Sequence, residues 1–145
     1  MKVVLQIAEK ASVKVGKDIV GEIGRGYLLL VGIIEDDKED NVYKMAEKIS
    51  KLRVFPDVNG KTNLSLKDVT GEILSVSQFT LCADLSGTNR PSFSKAAKRE
   101  KAMSLYQLFN DELRKHGFIV KTGVFGEDMK VALVNDGPFT LVLES

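Results

Sequence analysis

Two short segments hold most of the residues that could do chemistry. One is Ser77-Gln78-Phe79-Thr80, in which two hydroxyls and an amide close a strand-like apolar stretch. Side chains where a strand feeds a loop are common functional groups, because a rigid element holds them at the surface. The same polar groups can instead simply satisfy the backbone at the strand end. No residue within the run is a base that would activate either hydroxyl, so both interpretations stay open.

The other segment spans residues 135–140 and places Gly137-Pro138 between two strand-like runs. Proline lacks an N–H, so sheets accept it only at edges, strand starts or bulges. Glycine tolerates an unusual backbone path, and a bond preceding proline is where a cis peptide costs little. The pattern therefore predicts a bent backbone with its carbonyls turned outward.

Basic residues gather in a third segment, at a helix that we expect to be capped by Ser94. They are Arg90, Lys95, Lys98 and Arg99. Cations in a first helical turn oppose the helix dipole, which favours an external anion such as a phosphate as their partner. A solvated helix start is the alternative interpretation.

Composition excludes several classes of function. The chain has 145 residues, 43% of them hydrophobic, and a net charge of +1, which argues against a broad surface for long nucleic acids. The single cysteine, Cys82, excludes an internal disulfide and a cysteine metal cluster. The single histidine, His116, precedes a glycine in a pattern typical of a helix end, which leaves no histidine for a catalytic triad. No apolar run suits a signal peptide or a membrane span, so we expect a cytoplasmic protein without a metal.

Hydrophobic periodicity predicts one α+β domain over residues 1–145, with a mostly antiparallel or mixed sheet or barrel and two main helices. The first helix is expected to begin at a cap formed by Asp36-Asp37 and to end near Leu52. The predicted strands are residues 3–7, 12–15, 19–23, 27–34, 54–55, 72–78, 118–121, 129–134 and 140–143.

These motifs together resemble the D-aminoacyl-tRNA deacylases, also called D-tyrosyl-tRNA deacylases, over essentially the whole chain. The resemblance is carried by residues 77–81 and 135–140, and it is reinforced by residues 90–94, 122–126 and 128–129. The paired motifs, in this order and at this spacing, are highly specific.

The resemblance implies a homodimer that hydrolyses the ester joining a D-amino acid, or glycine, to the 3′ end of tRNA. Such an enzyme needs no metal or organic cofactor, and the resemblance implies neither a membrane nor DNA as a partner. It also implies that the Gly137–Pro138 bond is cis and enters the partner's site, where its carbonyls hold the substrate amine and exclude an L side chain. The implied catalytic residues are Ser77, Gln78, Phe79 and Thr80, and the implied substrate-binding residues are Gly137, Pro138, Asn135 and Met129.

The family offers two candidates for the reactive group, Thr80 and the 2′-hydroxyl of the tRNA. The inventory of residues favours the tRNA hydroxyl, because a threonine without a histidine partner is a weak nucleophile. Backbone N–H groups near Phe79 and Thr80 are expected to hold the oxyanion.

The chain departs from the family pattern at a few positions. Ile7 stands where an arginine is usual, and Phe139 replaces a valine. The loop at residues 85–89 lacks the usual lysines, which would weaken a contact with the tRNA backbone. Two further hypotheses follow: a noncatalytic protein that binds tRNA ends or amino-acid derivatives, and a general esterase. The lack of a histidine dyad argues against the esterase.

Overall fold

The computed structural model describes residues 1–87 and 89–145. A mixed six-stranded sheet and two helices confirm the predicted α+β class, and a small hairpin, β4–β5, includes a strand that the sequence did not predict. The elements in chain order are β1 Lys2–Val15, β2 Asp18–Ile23, β3 Gly26–Gly32, α1 Glu39–Lys51, β4 Arg53–Pro56, β5 Thr62–Ser65, β6 Glu72–Ser77, a 3₁₀ helix Phe79–Cys82, α2 Arg99–Lys115, β7 Val120–Thr122 and β8 Met129–Glu144.

Strand β1 pairs with three other strands of the sheet. On one side its first half pairs with β3 and its second half with β2, and on the other side it pairs with β8 from end to end. Two strands were predicted in place of β1 and two in place of β8. In β1, β8 holds the weak strand formers Ala8, Lys10 and Ala11 between the two runs. In β8, the two runs are joined by residues 136–139, which have no partner on β1. The register between β1 and β8 shifts on both sides of Ala8.

Strands β3, β6 and β7 form the parallel part of the sheet. The apolar run of β3 is buried almost throughout, as expected for a strand covered on both faces. Gly26 opens β3 opposite Glu72, where a Cβ atom would lie 1.8 Å from the Glu72 carbonyl oxygen. The close approach of the two strands therefore requires glycine at this position.

Helices α1 and α2 pack against each other and against one face of the sheet. Met45 and Ile49 of α1 and Phe109 of α2 share one buried cluster with Leu5 and Leu29. His116 caps the end of α2 and Gly117 follows with φ +92°, which confirms the predicted helix end. No helix in the described residues is both long and apolar enough to cross a membrane.

The predicted start of the first helix is wrong. Helix α1 begins at Glu39, and the side chain of Asn41 accepts the N–H of Lys38 at 3.0 Å. Asp37 is instead buried and binds the α-ammonium of Met1 and the N–H of Ile34 at 2.8 Å. Met1, which immediately precedes β1, thus binds the carboxylate that the sequence pattern assigns to the helix.

The predicted cap of the second helix, Ser94, is wrong as well. Helix α2 begins at Arg99, because Ser94 lies in a turn closed by the bond from the Ala96 N–H to the Phe93 carbonyl, and residues 95–97 then bond to residues 33–35. The Glu35 carboxylate then accepts the N–H of Lys98 at 3.1 Å. Lys95 and Lys98 therefore precede the helix, and of the basic residues predicted at its start only Arg99 lies in its first turn.

We expect Gly26→Ala to lower the free energy of unfolding by at least about 2 kcal/mol, because the new methyl group overlaps the Glu72 backbone. Gly24→Ala is the matched control, since a Cβ there meets nothing within 4 Å. Urea unfolding of both variants measures the difference. Equal stability of the two variants would contradict the tight β3–β6 contact.

Candidate active site

A cavity of about 480 Å³ opens at the carboxyl ends of β3 and β6. The segment before α2, the first turns of α2 and the chain that leads into β8 complete its wall. Its lining residues are Val31, Ile33, Val76, Ser77, Gln78, Phe79, Ala96, Ala97, Arg99, Ala102, Tyr106, Phe125, Gly126, Glu127, Asp128, Met129 and Val131. The wall combines an apolar majority with a few polar groups, which is typical of a small-molecule site.

Pairing between β3 and β6 delivers Ser77 and Gln78 to the cavity. Ser77 lies opposite Val31, and the N–H of Gln78 donates to the Val31 carbonyl at 2.7 Å. The chain then turns into the 3₁₀ helix. The Gln78 amide reaches forward and donates a hydrogen bond to the Thr80 hydroxyl.

The turn into the 3₁₀ helix leaves two backbone donors without an internal partner. The N–H groups of Phe79 and Thr80 find no acceptor within the described part of the chain, since the first bond of this helix runs from Leu81 to the Gln78 carbonyl at 3.3 Å. Free N–H groups at such a turn attract negative charge. The Phe79 side chain beside them is 57% exposed.

Cys82 anchors the other end of the 3₁₀ helix. Its buried thiol donates to the Ile33 carbonyl at 3.4 Å, and burial raises the pKa of the thiol. A protonated, buried thiol is a poor nucleophile. Cys82 is therefore a packing residue, and Gly32 admits it closely, because a Cβ on Gly32 would lie 3.1 Å from the sulfur.

Tyr106 and Arg99 form the wall contributed by α2. The Tyr106 hydroxyl donates to the Ser75 carbonyl at 2.8 Å, and burial raises the pKa of the phenol, which keeps it neutral. The Arg99 guanidinium carbon lies 5.9 Å from the centre of the Phe125 ring. A Cβ on Gly126 would come within 2.7 Å of an Arg99 nitrogen, so glycine leaves room for the guanidinium.

A loop pinned by Asp84 lies between the 3₁₀ helix and α2. Backbone hydrogen bonds join Asp84 and Ser92 in both directions, and the Asp84 carboxylate accepts from Ser86 and from the Lys95 ammonium at 2.8 Å. The Lys95 hydrogen bond, with help from Ser86, holds the pKa of the Asp84 carboxyl well below its usual range. Lys95 is thus paired with a carboxylate of its own chain.

The turn at Gly137–Pro138 stands apart from this cavity. The peptide bond is cis, Gly137 has φ +119°, and both residues are exposed. Neither residue lines the cavity, although Met129 and Val131 of the same strand do. The strand from Val131 to Asn135 alone spans about 13 Å, and the turn begins only beyond Asn135. The turn therefore cannot fold back into its own cavity while the β1–β8 ladder holds.

Comparison with known proteins assigns the chain to a family. Residues 4–144 match the family described as D-Tyr-tRNA(Tyr) deacylase. The chain belongs to the D-Tyr-tRNA(Tyr) deacylase family. Its relatives include the D-aminoacyl-tRNA deacylases of Lactobacillus gasseri, at 57% identity over 99% of both chains, and of Bacillus cytotoxicus, at 53% identity over 100% of this chain and 99% of that one.

Two solved structures have the same fold. One, of the c-Myc DNA Unwinding Element Binding Protein, matches with a TM-score of 0.94 and 42% identity over 100% of this chain and 99% of that chain. The other, of a probable eukaryotic D-amino acid tRNA deacylase, matches with a TM-score of 0.87 over 99% of this chain and 98% of that chain. At 17% identity the second match shows a common fold alone.

The deacylase fold brings only part of the predicted site together in one chain. The cavity gathers Ser77, Gln78, Phe79, Met129 and Arg99. The residues predicted from sequence that lie outside its wall are Thr80, Asn135, Gly137, Pro138, Arg90, Lys95 and Lys98.

One residue of the cavity wall was not predicted from the sequence, and one residue of a predicted loop lies outside the described residues. Tyr106 is not among the site residues predicted from the sequence; the available signal was a tyrosine at helical spacing with Ala102, Leu105 and Phe109. Thr88, in the loop that lacks the family's lysines, lies outside the described residues. No group of three or more His, Cys, Asp or Glu residues in the described ranges is placed to hold a metal ion.

Proposed function

We propose that this member of the deacylase family hydrolyses the ester of D-aminoacyl-tRNA. Water adds to the carbonyl carbon, the bond to the ribose 3′ oxygen breaks, and that oxygen takes a proton, which releases tRNA and a free D-amino acid. The observation that carries the proposal is a cavity with free backbone donors in a chain whose exposed Gly137–Pro138 turn cannot reach it. Glycine, which has no side chain at Cα, is a further substrate of the same arrangement. From the proposed tRNA substrate we infer that the enzyme acts in the cytoplasm.

A second copy of the chain completes the site in this proposal. Because the turn and the cavity of one chain lie apart, the turn enters the cavity of a partner chain. The partner's turn enters the cavity of the first chain in the same way. Strand β8 supports such an arrangement, since within residues 1–87 and 89–145 it pairs with β1 alone and carries exposed valines. Val142, at 69% exposure, is the most exposed of them.

Main-chain carbonyls of the turn would read the configuration at the substrate Cα. Peptide oxygens accept hydrogen bonds from an α-ammonium group and are identical whatever side chain the substrate carries. A D residue points its side chain away from these oxygens, whereas an L residue would overlap them. Selection of this kind ignores side-chain identity, as an enzyme acting on several D-amino acids requires.

The cavity floor would hold the ester. The N–H groups of Phe79 and Thr80 are placed to stabilise the oxyanion, with Ser77 and Gln78 binding the terminal adenosine. In the part of the chain that the structure describes, the Thr80 hydroxyl accepts a hydrogen bond from Gln78 and has no basic partner. His116 is at the far end of α2 and the Cys82 thiol is protonated. The 2′-hydroxyl of the terminal ribose is therefore the group proposed to orient and activate water.

The acceptor strand of the tRNA would pass the mouth of the cavity beside α2. Phe79 and Phe93 form an exposed edge-to-face pair with ring centres 5.0 Å apart, a surface on which a base can stack. Arg99 brings a cation to the cavity wall, and Lys98 and Arg90 lie exposed nearby in the chain. Lys95 contributes less, because it is paired with Asp84.

We expect D-Tyr-tRNA to be hydrolysed with a kcat/KM at least about 100-fold above that of L-Tyr-tRNA, since an overlap costing about 3 kcal/mol slows a reaction by that factor. Release of tyrosine at substoichiometric protein measures both rates, and spontaneous hydrolysis is the control. Equal rates for the two enantiomers would exclude the backbone filter. Saturable binding without turnover would favour the noncatalytic alternative, and cleavage of simple chromogenic esters would favour a general esterase.

We expect Thr80→Val to retain kcat/KM within about tenfold, whereas loss of a true nucleophile costs about 10⁴-fold or more. D-Tyr-tRNA ending in 2′-deoxyadenosine should react at least about 100-fold more slowly with the unchanged enzyme. Thr62→Val, on the remote β4–β5 hairpin, is the control for loss of a threonine hydroxyl. Normal hydrolysis of the deoxy substrate, together with an inactive Thr80→Val, would make Thr80 the nucleophile.

We expect Arg99→Gln to raise KM for D-Tyr-tRNA about fivefold or more and to flatten the dependence of log KM on log salt by about 0.7, because one phosphate contact is lost. Phe93→Leu should raise KM with an unchanged salt slope, since stacking releases no counterion. Lys44→Gln, on the exposed face of α1, is the charge-matched control. An unaltered KM in both test variants would remove this path for the acceptor strand.

A further inference from the structure

We propose that Gln6, Asn135 and Thr140 form a clamp that positions the Gly137–Pro138 turn. The task of the turn in this inference rests on the proposed function. The three side chains bond to one another, and Asn135 also bonds to the backbone of Ile7 on β1 and of Phe139 after the turn. They are positioning residues, since none of them lines the cavity.

The clamp lies where the β1–β8 ladder is interrupted. Thr140 pairs with Gln6 and Asn135 pairs with Ala8, so residues 136–139 leave the ladder opposite Ile7. A stretch that leaves a ladder in this way is free to move unless hydrogen bonds join its two ends to the sheet. Ile7 cannot do so with its side chain, which is buried in the core.

Asn135 joins the two ends of this stretch with both hydrogens of its side-chain amide. Its nitrogen donates to the Ile7 carbonyl at 2.9 Å and to the Phe139 carbonyl at 3.1 Å. One bond ties the turn to β1, and the other ties the residue before the turn to the residue after it. Asn135 thus has no amide hydrogen left for a substrate.

Gln6 and Thr140 hold the other side of the Asn135 amide. The Asn135 oxygen accepts from Gln6 Nε2 at 3.4 Å and from the Thr140 hydroxyl at 3.5 Å. Gln6 Nε2 also donates to the Thr140 oxygen at 3.2 Å. The resulting three-membered network fixes which way the Asn135 amide faces.

The clamp also decides which carbonyls the turn presents. The Phe139 carbonyl accepts a hydrogen bond from Asn135, whereas Gly137 and Pro138 lie in the stretch of β8 that has no partner on β1. A filter made of backbone oxygens discriminates only if they are held within about 0.5 Å. The network therefore acts on chiral selectivity through the position of the Gly137 and Pro138 oxygens.

The test compares Asn135→Asp, which replaces the two donors with an acceptor, with the remote control Asn63→Asp in β5. We expect the D/L ratio of kcat/KM to fall at least about tenfold in Asn135→Asp and to stay unchanged in Asn63→Asp. Thr140→Val should lower the ratio, and Thr140→Ser, which keeps the hydroxyl, should restore it. A merely structural loss would instead lower the two rates together.

A second readout does not depend on activity. NMR order parameters of the Gly137 and Phe139 N–H groups should fall from about 0.85 to below about 0.6 in Asn135→Asp, while those of β1 stay high. If that variant does not fold, Gln6→Met and Thr140→Val carry the same expectations.

The outcomes separate the clamp from the proposed function. A rigid turn and an unchanged D/L ratio, in variants that still hydrolyse D-Tyr-tRNA, would overturn the clamp alone. A wild-type protein that hydrolyses neither enantiomer would overturn the proposed function, and the order parameters would then decide the clamp.

Discussion

The antiparallel ladder between β1 and β8 fixes both parts of the site. At one end of β8 it holds Met129 and Val131 in the cavity wall, opposite Val15 and Val13 of β1. Beyond Asn135 it releases residues 136–139 as a turn and then resumes at Thr140. One strand thus carries a part of the binding cavity and a part that cannot serve that cavity. This constraint is what makes a second copy of the chain necessary in the proposed enzyme.

Local sequence predicted the elements whose signals lie within themselves. Apolar runs gave the positions of β2, β3 and β6, and Gly137-Pro138 gave the bend in β8. The helix starts were mispredicted because distant partners decide them: Met1 takes the carboxylate of Asp37, and Glu35 accepts the N–H of Lys98. Ser77, Gln78 and Phe79 were found because a strand end points to them. Their position relative to Tyr106 and Arg99 depends on how α2 packs, and no local pattern encodes that packing.

Within the described residues, the cavity gives the Thr80 hydroxyl no acidic or basic partner. Glu127 and Asp128 bring carboxylates to the wall, but neither forms a hydrogen bond with Thr80, and the nearby thiol and phenol are kept neutral by burial. The wall instead offers hydrogen-bond donors fixed by secondary structure. Fixed dipoles stabilise developing charge without reorganising during the reaction. A substrate that brings its own hydroxyl next to the ester is the kind of substrate that such a wall can serve.

A filter made only of backbone atoms is selective only if the residues around it hold those atoms in position. Gly137 has no side chain and Pro138 has only an apolar ring, so neither can fix the turn by a side-chain hydrogen bond, and the turn is exposed within one chain. The side chain of Ile7, at the position where the resemblance implies an anchoring arginine, is buried in the core, and only its carbonyl faces the turn. Asn135 uses that carbonyl, so the anchor is a hydrogen bond to backbone and not to a side chain at position 7. Selectivity in this chain thus depends on an asparagine whose own amide must be oriented by Gln6 and Thr140, which makes the network cooperative rather than the property of one residue.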